Sequence, residues 1–435
     1  MALRLFTTDL IGSGTQITAN TEDLIIVAED VIVSSSTGNA ISSDGTADSV
    51  NVVIAGDIYA YGNGVSLKTN GTTGRHSVTV QASGSIVSYD FTGLIVFGDD
   101  SVAVNYGQIT THRSAAMALS NAEFGTLINY GTINANDTGE FSSGFYLEND
   151  VVDAHLENHG TINTNSVFSG AIQVGASGVV YMLNTGMISG RFAAYESKFS
   201  AADTIDNSGV FQGDVLLGAG DDVYTAFDGG IVLGVIDGGL GNDTLTGGSN
   251  SDFIDGGDDN DRLFGRGGDD DLRGGLGSDF MSGGMGDDQL IGDDGSDKMF
   301  GGSGDDTLNG GRDKDTIHGG DGNDEIKGGR LNDVLSGGAG ADVFVYDVKQ
   351  DSSTGASDVI QDFEVGIDVI DLSAVASGLT FVGTAAFSGT GNEVRYDIAG
   401  NGRTFIQVDT DANGSADMRI WLTDVGALSA DDFVL

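Results

Sequence analysis

Aspartate returns at every ninth position over a long central stretch: Asp243, Asp252, Asp261, Asp270, Asp279, Asp288, Asp297, Asp306, Asp315, Asp324, Asp333 and Asp342. Each lies five residues after a glycine, in a series from Gly238 to Gly337. Each also lies two residues before an apolar side chain: Leu245, Ile254, Leu263, Leu272, Met281, Leu290, Met299, Leu308, Ile317, Ile326, Leu335 and Phe344. An earlier copy, Leu217 to Thr225, sets Asp222 in the same slot, ahead of a spacer from Ala226 to Asp237. Glycines at this density open tight loops with positive φ, and the x-apolar-x triplet reads as a short strand with its middle side chain inward. Two nonamers then make one coil with a loop on each side. Stacked coils set equivalent aspartates about 4.8 Å apart. One column runs Asp243, Asp261, Asp279, Asp297, Asp315, Asp333, and the other Asp252, Asp270, Asp288, Asp306, Asp324, Asp342. Neighbouring carboxylates in a column repel by roughly 1 kcal/mol even at the dielectric of water. The block from Gly238 to Val345 holds 24 acids and 8 bases, so its own side chains do not cancel that repulsion. A divalent ion between coils does. Calcium suits the site, because it accepts several carboxylate and carbonyl oxygens in flexible geometry.

A second oxygen-rich loop lies near the end of the chain. In the run from Asp409 to Asp417, Asp409, Asp411, Asn413 and Asp417 occupy positions 1, 3, 5 and 9 of an EF-hand-like loop, with Gly414 at position 6. Position 12 is Ile420 rather than glutamate, and the flanks TFIQVD and DMRIWL read as strands. The loop is therefore open to two readings, a calcium site or a hairpin turned by Asn-Gly.

The elements that must position these groups are strands throughout. The chain has 435 residues, with 71 glycines, no proline and no cysteine. Sixty-five acids against 18 bases give a net charge of −47. That charge repels nucleic acid and anionic membranes, and the absence of cysteine excludes disulfides and thiolate metal sites. No run of about 18 apolar residues is present to span a membrane as a helix. The opening MALRLFTTDLIGSGTQIT lacks a long apolar h-region, so no cleaved signal peptide is expected. Residues 1–216 carry a looser repeat, N-x-G followed by an apolar residue: Asn105-Tyr106-Gly107, Asn129-Tyr130-Gly131, Asn158-His159-Gly160, Asn184-Thr185-Gly186 and Asn207-Ser208-Gly209. Degenerate copies precede it at Gly56 and Gly84. A period in the twenties with short strands predicts a β-solenoid, with the asparagines forming a ladder of side-chain amides. A β-sandwich with N-G-type turns is the alternative. From Tyr346 to Leu435, short alternating runs predict a β-rich cap. The expected fold is thus all-β: a right-handed β-helix-like solenoid over 1–216, a parallel β-roll over 217–345 and a cap over 346–435.

The repeat resembles GGxGxDxUx of the RTX (hemolysin-type) family of secreted bacterial proteins. That resemblance implies Ca²⁺ held by the aspartates and loop carbonyls. Asn250, Asp259, Asp313 and Leu331 replace the fourth-position glycine, and Arg266 and Asp293 the second. Sites touching those loops are expected to be weaker or vacant. The run GGAGADVFVY followed by DVIQDFEVGIDVIDLS resembles the C-terminal domain of serralysin-type metalloproteases, as does the tail from Asp431 to Leu435. The resemblance implies an extracellular protein exported by type I secretion machinery. The solenoid looks like the β-helical passengers of bacterial surface proteins and adhesins.

Catalytic motifs are sparse. HExxH, GxSxG and the P-loop are absent, so the protease chemistry is not expected to accompany the protease-like C-terminus. His155, Glu157 and His159 share one face of a strand, a candidate transition-metal set, although His159 occupies the variable middle slot of N-x-G. The expectation is a secreted, calcium-dependent structural or adhesive protein, with surface glycans as candidate partners of the solenoid. The alternative is a β-helix polysaccharide lyase or epimerase, which needs a cleft lined by acids and a base.

Overall fold

The computed structural model describes residues 2–435 except 21–22, 44, 46–48, 69–74, 137–141, 149, 176–177, 199–201 and 400–402. The described residues are all β apart from one 3-10 turn, Ala430–Asp432. They form two compact units, Met1–Leu240 and Gly241–Leu435.

The first unit is a parallel solenoid with three short strands per coil. One face runs through Ala2–Phe6, Asp23–Val27, Val50–Ile54, Ser77–Val80 and Ser101–Asn105, and onward to Val223–Ala226. Its inward side chains stack in register: Ile25, Val52, Val78, Ala103, Leu127, Leu156, Met182, Ile205 and Tyr224. All are buried.

The N-x-G element is the corner between the first and second strands. Asn105 ends Ser101–Asn105, the glycine turns, and the apolar residue beyond it, such as Ile109, is buried by the next strand. The asparagine column closes on itself. Asn105 Nδ2 donates to Asn129 Oδ1 at 2.8 Å, and Asn129 to Asn158, Asn158 to Asn184 and Asn184 to Asn207 at 2.9 Å each. Asn207 Nδ2 then donates to the Tyr224 hydroxyl at 3.0 Å. An amide both donates and accepts, so a buried column of amides satisfies itself. The glycines are required by close approach: a β-carbon on Gly131, Gly160, Gly186 or Gly209 would lie 2.1 Å from the carbonyl oxygen of the equivalent glycine one coil earlier. The solenoid and its asparagine ladder are as the N-x-G spacing predicts.

The second unit begins as a two-sheet parallel roll. Leu245, Leu263, Met281, Met299, Ile317, Leu335 and Ile360 form one buried column. Ile254, Leu272, Leu290, Leu308, Ile326, Phe344 and Ile370 form the other. The strands are longer than the x-apolar-x triplet: most run six residues, as in Phe253–Asp258, and pairing continues through the glycines, Gly257 opposite Gly275. The roll ends in an antiparallel meander, Glu393–Ile398, Arg403–Asp409 and Met418–Thr423, whose last strand pairs in parallel with Asp358–Ile360. The short strand Phe433–Val434 pairs in parallel with Val369–Asp371.

Asn158→Ala breaks two ladder bonds, leaving Asn129 Nδ2 only its 3.3 Å bonds to the Gly131 and Thr161 carbonyls and taking from Asn184 Oδ1 its ladder donor, at a cost of about 2 kcal/mol. Gly160→Ala drives a β-carbon into the Gly131 carbonyl. Both variants are expected to lower the thermal unfolding transition of the solenoid, followed by circular dichroism on the full chain. An unchanged transition in Asn158→Ala would remove the ladder as a source of stability.

Candidate metal centres

The aspartate columns exist, and their hydrogen bonding obeys one rule. Each Oδ1 accepts the backbone N–H of the aspartate one coil earlier. Asp243 N donates to Asp261, Asp261 to Asp279, Asp279 to Asp297 and Asp297 to Asp315, all at 2.8 Å. The second column repeats this from Asp252 through Asp270 and Asp288 to Asp306 and Asp324. One carboxylate oxygen is therefore structural. The other is not satisfied: Oδ2 of Asp261, Asp270, Asp279, Asp288, Asp297, Asp306, Asp315, Asp324, Asp333 and Asp342 is buried without a hydrogen-bond partner.

Each Oδ2 faces the glycine that opens its own nonamer. A β-carbon on Gly265 would lie 2.1 Å from Asp270 Oδ2 and 2.7 Å from the carbonyl oxygen of Gly283. On Gly310 it would lie 2.3 Å from Asp315 Oδ2 and 2.5 Å from the Gly328 carbonyl. Two acceptors, one of them anionic, converge on a small space that any side chain would fill. Ten such buried acceptors in register would each impose an unsatisfied-group penalty, and a cation is the species that removes it. The donor set is oxygen only, which fits calcium.

Burial pushes these carboxyls up, Asp261 and Asp315 to about 8 and Asp270, Asp297, Asp306 and Asp333 to about 7, with neighbouring carboxylates adding to the shift in Asp261, Asp270, Asp297, Asp306 and Asp315. A free aspartate titrates near about 3.9. Between about pH 4 and pH 8 the metal-free fold therefore holds protons that the unfolded chain has lost, and its stability falls as pH rises.

The loop departures are tolerated unequally. Asp259, Arg266, Asp293, Asp313 and Leu331 all adopt the left-handed φ of the glycines they replace, between 72° and 82°. The copy containing Asn250 is different. The strand that leads into it, Thr244–Thr246, is only three residues, and Gly248 N donates to Asp252 Oδ2 at 2.6 Å. That oxygen is occupied by its own loop.

Three further aspartates, two as acceptors and one as backbone donor, continue the rule beyond the nine-residue spacing. Asp333 N donates to Asp358 Oδ1 at 2.9 Å, and Asp342 N to Asp368 Oδ1 at 3.0 Å. In the first unit, Asp203 N donates to Asp222 Oδ1 at 2.6 Å. Insertions change the spacing to 25, 26 and 19 residues, so periodicity misses Asp358, Asp368 and Asp203. Their signal is local: aspartate, any residue, then a buried apolar side chain, as in Asp358-Val359-Ile360.

The loop from Asp409 to Asp417 is a hairpin turn on which three carboxylates converge. Its flanks pair as antiparallel strands, and carboxylate oxygens of Asp409, Asp411 and Asp417 lie within 4.8 Å of one another. Asp409 is fully buried and accepts the N–H of Gly414 at 2.7 Å; Asn413 Oδ1 turns back onto Ser415 N at 2.8 Å. Asp417 is held below the usual carboxylate range, first by the Thr410 hydroxyl and then by the Thr410 N–H and Lys349. His155, Glu157 and His159 do share an exposed patch, but Glu157 bridges the two imidazoles, 2.8 Å to His155 Nε2 and 2.9 Å to His159 Nε2. The ring nitrogens that would ligate a metal face the carboxylate instead.

Nonapeptide loops with repeated oxygen ligands on a two-sheet parallel roll define a calcium-binding protein of the RTX type. Residues 174–435 match the family described as Peptidase M10 serralysin C terminal, and the chain belongs to that family. The metallopeptidase AprA of Pseudomonas marginalis is 40% identical over 94 residues, 21% of this chain and 19% of that protein. The chain thus spans about a fifth of that relative's length. Two subunits of the Azotobacter vinelandii mannuronan C5-epimerase are similar among solved structures. AlgE6R2 is 25% identical, with 42% of this chain and 91% of that one covered at a TM-score of 0.22. AlgE6R3 is 28% identical, with 43% and 80% covered at a TM-score of 0.18.

Asp297→Asn separates the two roles of the carboxylate. The amide oxygen still accepts the Asp279 N–H, while the buried charge is gone. The variant is expected to raise the calcium concentration at half-folding. Without calcium, the β signal of the wild-type roll is expected to fall from pH 5 to pH 8, as the buried carboxyls lose their protons. Circular dichroism with calcium titrated in, and without calcium at the two pH values, measures both effects; a metal-free roll with more β structure at pH 8 would contradict the burial argument.

Proposed function

We propose that the repeat aspartates, Asp222 and Asp243 through Asp342, bind several Ca²⁺ ions together with loop carbonyls, and that this binding folds the roll. The observation that carries the reading is the row of buried Oδ2 atoms without partners, most of them set against a glycine carbonyl. The loop around Asn250 is the weak point of the row, because Asp252 Oδ2 already accepts from Gly248. A further ion at Asp409, Asp411 and Asp417, with Asn413 at the rim, fits the convergence of those carboxylates. Extracellular calcium modules bind at about 10⁻⁴–10⁻³ M, so cytosolic calcium leaves the roll unfolded, and the site assembles where calcium is abundant.

The protein is then a secreted, extracellular one, exported unfolded by a type I system and acting as a structural or adhesive element at the cell surface or in the matrix. The packing of the tail supports the order of events. Asp432 is buried and accepts N–H groups of Gly366 at 2.7 Å and Ser429 at 2.6 Å, and Phe433 lies opposite Ile370. Of the candidate signal Asp431 to Leu435, Asp432 and Phe433 are accessible in the unfolded chain and buried after folding, while Asp431, Val434 and Leu435 stay exposed. The non-enzymatic reading is favoured by the surface of the solenoid. A depression of about 290 Å³ is lined by Ser34, Ser35, Ser36, Tyr59, Tyr61 and Tyr89, and one of about 140 Å³ by Tyr146, Glu148 and small residues. Neither pairs acids with a lysine or arginine, as lyase chemistry requires. Protease activity has no zinc motif to rest on.

Excess EDTA at pH 8 is expected to abolish the β signal of residues 241–345 in circular dichroism, and Asp279→Ala to weaken sites on both sides of it in its column. A roll that keeps its β structure in EDTA would refute calcium-coupled folding. Deleting Asp431 to Leu435 is expected to lower export from cells while the purified chain still folds in calcium. Export at the wild-type level would place the address elsewhere.

A further inference from the structure

One outer face of the roll is unlike the rest of this acidic chain. Positions 7 and 9 of alternate nonamers point outward from the sheet that contains Arg262–Gly267. The residues there are Thr244, Thr246, Arg262, Phe264, Phe280, Ser282, Lys298, Phe300, Thr316, His318, Val334 and Ser336. None is acidic, in a chain with 65 acids. The opposite sheet carries Asp255, Asp271 and Glu325 at the same positions, and its cations are ion-paired, Arg273 with Asp293 and Lys327 with Asp347. Arg262 and Lys298 are exposed and in no ion pair among the described residues.

They rest instead on a ladder of rings. Phe264, Phe280, Phe300 and His318 succeed one another at centroid separations of 5.6, 5.6 and 5.1 Å. The Arg262 guanidinium lies 5.8 and 5.1 Å from the first two rings, and the Lys298 ammonium 6.0 and 5.0 Å from the second and third. The rings hold the two cations in place, two coils and so about 10 Å apart along the stack. At the far edge, Asp362 is engaged by the Ser336 hydroxyl.

We propose that this face binds a linear carboxylated polysaccharide. Fixed cations two coils apart pair with carboxylates on successive parts of an extended polymer, and Arg262 presents a fork suited to a carboxylate. The apolar faces of pyranose rings lie on the exposed edges of Phe264, Phe280 and Phe300, while Thr316 and His318 supply hydrogen bonds to hydroxyls. A flat sheet matches a flat, extended chain. Single-stranded nucleic acid fits less well, because base stacking needs open ring faces along a cationic groove, and here the cations cover the rings. The site requires only that the roll be folded, so it does not depend on the route of export.

The test uses the full chain with free calcium clamped in excess, because a polyuronate itself takes up calcium. A short oligogalacturonate is titrated by calorimetry, with a cello-oligosaccharide of equal length and a single-stranded oligonucleotide as comparators. Binding is expected for the oligogalacturonate and not for the cello-oligosaccharide. Arg262→Gln with Lys298→Gln is expected to weaken it at least about tenfold, and Phe280→Thr to weaken it as well. Arg273→Gln with Lys327→Gln, on the opposite sheet, is expected to leave it unchanged, and calcium-dependent circular dichroism verifies that every variant folds. The proposal is overturned by no binding to the wild type, by binding that survives loss of Arg262 and Lys298, by equal binding of the neutral oligosaccharide, or by tighter binding of the oligonucleotide at the same residues.

Discussion

A carboxylate has acceptors and no donor, and the roll is built around that limitation. The position-6 aspartate uses Oδ1 to accept the N–H of its counterpart one coil earlier, at 2.8 Å along most of each column. This bond holds successive coils in register at the loop, where the sheet ladder alone would leave a backbone donor unpaired. The same bond draws the carboxylate into the interior, where Oδ2 has no donor to meet. The architecture therefore contains a row of half-satisfied anions, and no side-chain rearrangement within the roll relieves it. Only protonation or a cation does, and at neutral pH the protons must be taken up on folding by groups that are ionised in the unfolded chain, at a cost in stability. The glycine at position 1 leaves open the small space beside Oδ2, which a β-carbon would fill.

The solenoid meets the same geometric demand by different chemistry. It too has one buried polar residue per coil at a corner, Asn105, Asn129, Asn158, Asn184 and Asn207, all with no exposed surface. An amide passes its donor to the next coil and receives from the previous one, so the column is neutral and complete in any solvent. One column is hence complete in itself and the other is not. Exchanging the two residue types would change both: aspartates in the solenoid would leave oxygens buried and charged, and asparagines in the roll would remove the buried negative charge. Asp203 and Asp222, joined at 2.6 Å, show the acidic version within the last coils of the first unit. Asp203 lies in a buried cluster where burial pushes its carboxyl up to about 6 and the Tyr195 hydroxyl donates to it at 2.8 Å.

Legibility in the sequence depended on whether a physical role imposed a fixed spacing. The roll was legible almost residue by residue, because an aspartate, a glycine and an apolar side chain each have one permissible place in an 18-residue coil. The asparagine ladder was legible for the same reason, despite variable coil lengths, because Asn-x-Gly marks a corner whose glycine lies 2.1 Å, in terms of a missing β-carbon, from a neighbouring carbonyl. Asp358 and Asp368 were not found, since loops inserted after Val345 destroy the period while leaving the pairing intact. The bridging of His155 and His159 by Glu157 was equally hidden. Strand alternation places the three side chains on one face, but only their rotamers decide whether the nitrogens meet a metal or the carboxylate between them.

The end of the roll imposes one more condition. A stack of parallel coils presents open sheet edges, and an uncovered edge invites pairing with another chain. The second unit closes its edges with strands from the C-terminal cap. Met418–Thr423 pairs onto Asp358–Ile360, and Phe433–Val434 pairs onto Val369–Asp371. These partners come from much further along the chain, so the edges cannot be closed until the cap has been made and the columns have assembled beneath it. The last strand has little to hold it apart from the roll, since Phe433–Val434 is two residues long and owes its place to Ile370, Gly366 and the Ser429 cap. Docking of the last strand is consequently a report on the state of the coils before it. Its place depends on the coil that carries Ile370, which links the packing of the final residues to the stack of aspartate-bearing coils before it.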